Sequence, residues 1–171
     1  ETIARQKALG VVPADTELTA PNVAIPAWDD MPDDLKPVLA RQMEVYAGFL
    51  EHTDAQVGKL VDALEDMEIL DNTLFIYIIG DNVASAEGTP QGTFNEMIPL
   101  NGFNDLETPE FMASHMDEFG GPTSYNHYAV GWASAMCTPF QWTKQVASHF
   151  GGTRNGTVVH WPKGIEAKGE L

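Results

Sequence analysis

Cysteine is almost missing from this chain: Cys137 stands alone among 171 residues. A lone thiol forms no intramolecular disulfide, so the fold does not depend on staples. That suits a reducing compartment, and between cytoplasm and periplasm the cytoplasm is the first choice. Basic residues are scarce as well. Nine Lys and Arg face 25 Asp and Glu, for a formal net charge of −16. Such a field repels phosphate backbones and anionic headgroups, which argues against nucleic acid and membrane as partners. No run approaches the roughly 20 apolar residues of a membrane span. Also missing are the HxxxH, HxH and HExxH spacings of histidine metal sites, a glycine loop spaced to cradle phosphate, and a GxSxG nucleophile elbow.

What is present fits one α/β segment with enough apolar residues, 43%, for a core. Residues 1–32 are rich in proline and polar side chains and read as an extended, wrapping segment. Asp33-Asp34 suit the first turn of a helix. From there Leu35, Leu39, Met43, Tyr46, Leu50, Val57, Leu60, Val61 and Leu64 recur at helical spacing, which predicts one long amphipathic helix interrupted near Gly58. Asp71-Asn72 turns the chain into TLFIYIIG, residues 73–80, an unbroken β-branched and aromatic run expected to be a strand buried on both faces. Residues 83–136 form a long Gly- and Asn-rich loop region with a short helix within 105–120. In 137–171, Thr138-Pro139 and Gly151-Gly152 predict the start and stop of a helix, and GTVVHWP a second buried strand.

Several residues are candidates for chemistry. Asp81-Asn82 follows the first strand directly, and ligands of open α/β sheets bind beyond the carboxyl ends of strands. A carboxylate beside an amide oxygen suits a hard cation, though Asp-Asn is equally a favoured turn pair. Lys144, among apolar neighbours on the expected second helix, either snorkels or aims into a site, where its ammonium would take sulfate or phosphate. Among the histidines, His127 in SYNHYAVGW is the best catalytic candidate and His149 the next; His160 reads as a packed core residue of the second strand.

These pieces occur in an order that resembles the type I, formylglycine-dependent sulfatases, and more narrowly bacterial arylsulfatases. The stretches are YAGFLEHTDAQVGKLVDALEDMEILDNTLFIYIIGDNVASAEG, then NHYAVGWASAM, then TPFQWTKQVASHFGGTRNGTVVHWPKGI. The resemblance implies an alkaline-phosphatase-like sandwich with a mostly parallel central sheet flanked by helices. It implies hydrolysis of a small-molecule sulfate ester by a formylglycine nucleophile assisted by bound Ca2+. Asp81 and Asn82 match the Asp-Asn pair that ligates the metal, and Lys144 the lysine that contacts the substrate sulfate. A phosphodiesterase or phosphonate hydrolase of the same superfamily is the sister reading, and a non-catalytic truncated remnant the reading from another class. Val83 stands where the family has glycine; if that position needs positive φ, a β-branched residue is strained there. Asn155-Gly156 stands where a residue-proline pair usually follows Gly-Gly-x-Arg, a change expected to have little consequence.

Cys137-Thr138-Pro139 imitates the start of the nucleophile motif, but Gln141 occupies the place of the required arginine. The formylglycine is therefore expected upstream of this chain and not from Cys137, whose thiol at a helix mouth would have at most modest reactivity. The family's other aspartates, lysine and histidines have no counterpart here. Residue 1 is Glu and Leu171 ends in mid-phrase, so a fragment is expected: the later part of a catalytic domain, inactive alone, weak in calcium binding, and prone to associate with itself through uncovered strand edges.

Overall fold

The computed structural model describes residues 1–80 and 82–166. The chain opens with a short helix, α1 (Thr2–Ala8), in the stretch expected to be extended, and then runs through turns to Met31. Helix α2 (Lys36–Asp66) starts close to the expected acidic turn, where Lys36 Nζ meets Asp33 Oδ1 at 2.8 Å and Pro37 sits in the first turn. It runs through Gly48 and Gly58 without a break.

Only the first third of α2 enters a core. Val38, Leu39 and Gln42 are its buried residues, while Phe49, Leu50, Leu60 and Met67 are exposed. The other half of the core comes from the region read as a loop. Phe94, Met112, Phe119 and Ala129 pack on Leu35, Val38 and Leu39. Phe94 meets Phe111 and Phe119 edge-on, with ring centroids 5.8 and 5.3 Å apart.

Three short helices, α3 (Met97–Leu100), α4 (Pro109–Ser114) and α5 (Val130–Met136), punctuate this region. The α4 N-cap is local chemistry: Thr108 Oγ1 accepts from the Phe111 amide at 3.2 Å, with proline at the first position. Non-local bonds order the rest. The buried Glu107 carboxylate accepts from the amides of Phe94 and Asn95 at 2.9 and 2.7 Å, and the Trp132 indole donates to Leu39 O at 3.0 Å.

The strands correct two expectations. β1 (Phe75–Ile79) and β2 (Gly156–His160) form a two-stranded antiparallel pair, with Phe75 opposite His160 and Ile79 opposite Gly156. Neither strand is buried on both faces: Ile76, Ile78, Val158 and Val159 are about half exposed, and His160 is at the surface and not in a core. The apolar run forms a strand as expected, but among the described residues no neighbour covers both of its faces. The accessible surface is 11555 Å² for 18.7 kDa, where a compact monomer of that mass exposes roughly 8,300 Å².

The expected helix across 138–151 is absent. Trp142 and Gln145 adopt left-handed backbone angles, φ 66° and 77°, which an α-helix does not tolerate. The Lys144 amide instead donates across the chain to Ala84 O at 2.9 Å, and the Gly151 amide to Gln141 O at 3.0 Å. Among the described residues no helix is long and apolar enough to cross a membrane.

Candidate functional site

The carboxyl end of β1 opens into a cleft of about 1160 Å³. Its walls come from the middle of α2 (Tyr46, Phe49), the end of β1 (Tyr77, Ile79), residues 82–85, the 119–128 segment, and the stretch carrying Lys144, Arg154 and Asn155. Three of the residues singled out in the sequence, Asn82, His127 and Lys144, therefore line one cavity. Asp81, the fourth, lies outside the described residues.

The turn after β1 has a strained backbone. Gly80 has φ 78°, and Val83 has φ 65°, the left-handed angle that a β-branched side chain disfavours. This bears out the concern raised by valine at a family glycine position. The turn is held by Asn155, whose Oδ1 accepts from the Val83 amide at 2.8 Å. The Asn-Gly that replaces the usual proline-containing pair thus ties β2 to the turn after β1.

Lys144 does not snorkel. Its amide is fixed on Ala84 O, and its Nζ donates to Glu87 Oε2 at 3.0 Å, with both side chains about 30% exposed. Glu87 is in turn gripped by Ser85 Oγ at 2.8 Å and by Gln145 Nε2 at 2.7 Å. The Lys144 hydrogen bond, followed by that of Ser85, holds the Glu87 carboxyl below its ordinary range, so it is ionised.

His127 Nδ1 lies 2.8 Å from Tyr128 O. A carbonyl only accepts, so Nδ1 carries the proton and Nε2 is left as the basic nitrogen. Gly88 permits this arrangement, since a Cβ there would collide with Tyr128 O and the His127 ring. Burial is the main cause that pushes the Tyr128 phenol up to about 12, so it stays neutral, accepting from the Ser85 amide at 3.1 Å.

Cys137 is not at a helix start. It caps the C-terminal end of α5, is buried, and donates to Gly151 O at 3.3 Å. Burial pushes its thiol pKa up, which overturns the expectation of a thiol acidified by a helix N-terminus. His149 contacts Ser148 and Trp142 and does not line the cleft.

Sequence reading missed Tyr128 and Arg154 on the cleft wall, and Glu87, which does not line the cleft but pairs with the Lys144 that does. Arg154 stacks on Phe150, 3.9 Å from the ring centroid, at the cleft wall. The GGTR stretch was a signal for Arg154; nothing local signals Glu87, whose partner is 57 residues away.

The oxygen donors of the described residues do not make a calcium cage. Calcium takes about six to eight oxygens. Asn82 offers one amide oxygen, Asn155 Oδ1 is engaged by Val83, and no group of three or more His, Cys, Asp or Glu among the described residues is placed to hold a metal.

The segment is a mixed helix-and-strand chain with a cleft at the carboxyl end of β1. The sulfatase family model matches residues 6–170, and the chain belongs to the sulfatase family. It is similar to an uncharacterised sulfatase of Schizosaccharomyces pombe, at 29% identity over 159 residues, covering 92% of this chain and 27% of that protein. It is also similar to an arylsulfatase of Klebsiella aerogenes, at 29% identity over 175 aligned positions, covering 100% of this chain and 34% of that protein. The chain thus spans between a quarter and about a third of the length of these relatives.

Proposed function

We propose that this chain is a portion of an arylsulfatase that hydrolyses small-molecule sulfate esters, with the nucleophile residue supplied from outside it. The observation that carries the reading is the convergence of Asn82 and Lys144 on one cleft beyond β1, within a chain of the sulfatase family. The similarity to the Klebsiella aerogenes arylsulfatase favours sulfate over the phosphodiester alternative.

In this reading Lys144 is the sulfate-binding group. Glu87 occupies one of its N–H donors, and the others remain available to a sulfuryl oxygen. A fixed ammonium in a partly dry cleft stabilises charge that grows on those oxygens as the ester bond breaks. His127, with its proton on Nδ1, has Nε2 ready to accept or return a proton. The apolar walls from Tyr46, Phe49 and Tyr77 suit an aromatic leaving group. Asp81 and Asn82 would contribute part of a calcium sphere, and the remaining ligands, like the formylglycine, would come from residues beyond this segment. The segment alone is inactive.

The test is hydrolysis of an aromatic sulfate by the natural gene product that carries this segment. Lys144→Ala is expected to lower kcat/KM by about 10²-fold or more, the loss typical of removing one charge-stabilising donor. Unchanged turnover would remove Lys144 from the site.

A further inference from the structure

We propose that Glu87, set behind Lys144 at the cleft wall, determines specificity, favouring singly charged sulfate monoesters over doubly charged phosphate monoesters. The inference rests on the sulfate-ester reading of the cleft. Its physical basis is the charge balance around Lys144. A bare ammonium in a cleft attracts a dianion more strongly than a monoanion, and so by itself selects against sulfate esters. Here the ammonium is paired at 3.0 Å with a carboxylate that is ionised and fixed from three sides, by Lys144, Ser85 and Gln145.

The charged and titratable groups that face Glu87 are Lys144, His127 and Tyr128. The charges of the Lys144–Glu87 pair sum to zero. The pair still offers N–H donors to an anion oxygen, while the Glu87 carboxylate offsets the ammonium charge that would otherwise reward a second negative charge on the ligand. An anion bonded to Lys144 stands within about 6 Å of the Glu87 carboxylate, from two hydrogen-bond lengths laid end to end. Each additional negative charge on the ligand therefore meets repulsion that the monoanion largely avoids. Screened as befits a partly exposed pair, that repulsion is worth about three- to tenfold in relative affinity.

The experiment compares an aryl sulfate with the matching aryl phosphate monoester at pH 8, using the natural gene product. Wild type and Glu87→Gln are each measured for kcat/KM and, by calorimetry, for binding. The amide keeps the shape and removes the charge. The phosphate-to-sulfate ratio should rise about three- to tenfold in Glu87→Gln. Ser85→Ala, which deletes a hydrogen bond but no charge, should leave the ratio where it was. An unchanged ratio in Glu87→Gln overturns the inference.

A wild-type series decides the matter even where the variant does not fold. A phosphate monoester gives up its second charge below about pH 6, so a preference set by charge fades at pH 5 and one set by shape persists. Persistence, or equal binding of both esters at pH 8, overturns the inference. If the wild type binds the esters with the expected preference but hydrolyses neither, the catalytic reading fails, and the binding ratio in Glu87→Gln still decides the role of Glu87.

Discussion

Val83 offers a measurable test of the turn that shapes the cleft. Its φ of 65° lies in the left-handed region, and its amide is committed to Asn155 Oδ1 at 2.8 Å, so the backbone cannot relax without losing that bond. A β-branched residue held there stores about 1–3 kcal/mol. Val83→Gly releases that strain, keeps the amide, and costs about 0.5–1 kcal/mol of unfolded-chain entropy together with the contacts of a partly buried side chain. The net expectation is a gain of about 1 kcal/mol, equivalent to a rise of about 2–4 °C in Tm for a domain of this size. Denaturant titration and differential scanning calorimetry of wild type and variant provide the assay. A loss of stability of about 1 kcal/mol or more would show that the valine side chain, and not its backbone angle, governs the turn.

Other consequences concern the core and the ion pair. Leu39 is 2% exposed at the centre of the packed cluster, and Leu39→Ala should cost about 2–5 kcal/mol in denaturant titration, against a near-neutral Leu60→Ala on the exposed part of α2. Glu87 is held below its ordinary carboxyl pKa of 4.5, chiefly by Lys144, so the folded state binds fewer protons there than the unfolded state. Its contribution is therefore full above that value and disappears as pH falls through the lower folded one. The Tm gap between wild type and Glu87→Gln should close below pH 4.5, and a gap that stays constant into stronger acid would contradict the pairing.

Much of the scaffold was legible because its causes are local. The 3.6-residue spacing of Leu35, Leu39 and their successors marks α2, and the β-branched run marks β1. What escaped is non-local. Thr138-Pro139 and Gly151-Gly152 are sound helix punctuation, yet Trp142 and Gln145 take left-handed angles because the Lys144 amide is bonded to Ala84 instead of its own turn. The same crossing delivers Lys144 to Glu87. A glutamate in a polar loop has no periodicity to betray a partner so distant in sequence. Strand burial escaped for another reason: apolar content records what a strand can pack against, not whether this chain supplies it.

The most direct measurement is a crystal structure of the natural gene product with an aryl sulfate or inorganic sulfate bound. The account predicts a sulfate oxygen about 3 Å from Lys144 Nζ, in the cleft beyond β1 that Asn82 also lines. A sulfate bound elsewhere, with Lys144 still committed to Glu87 alone, would contradict it.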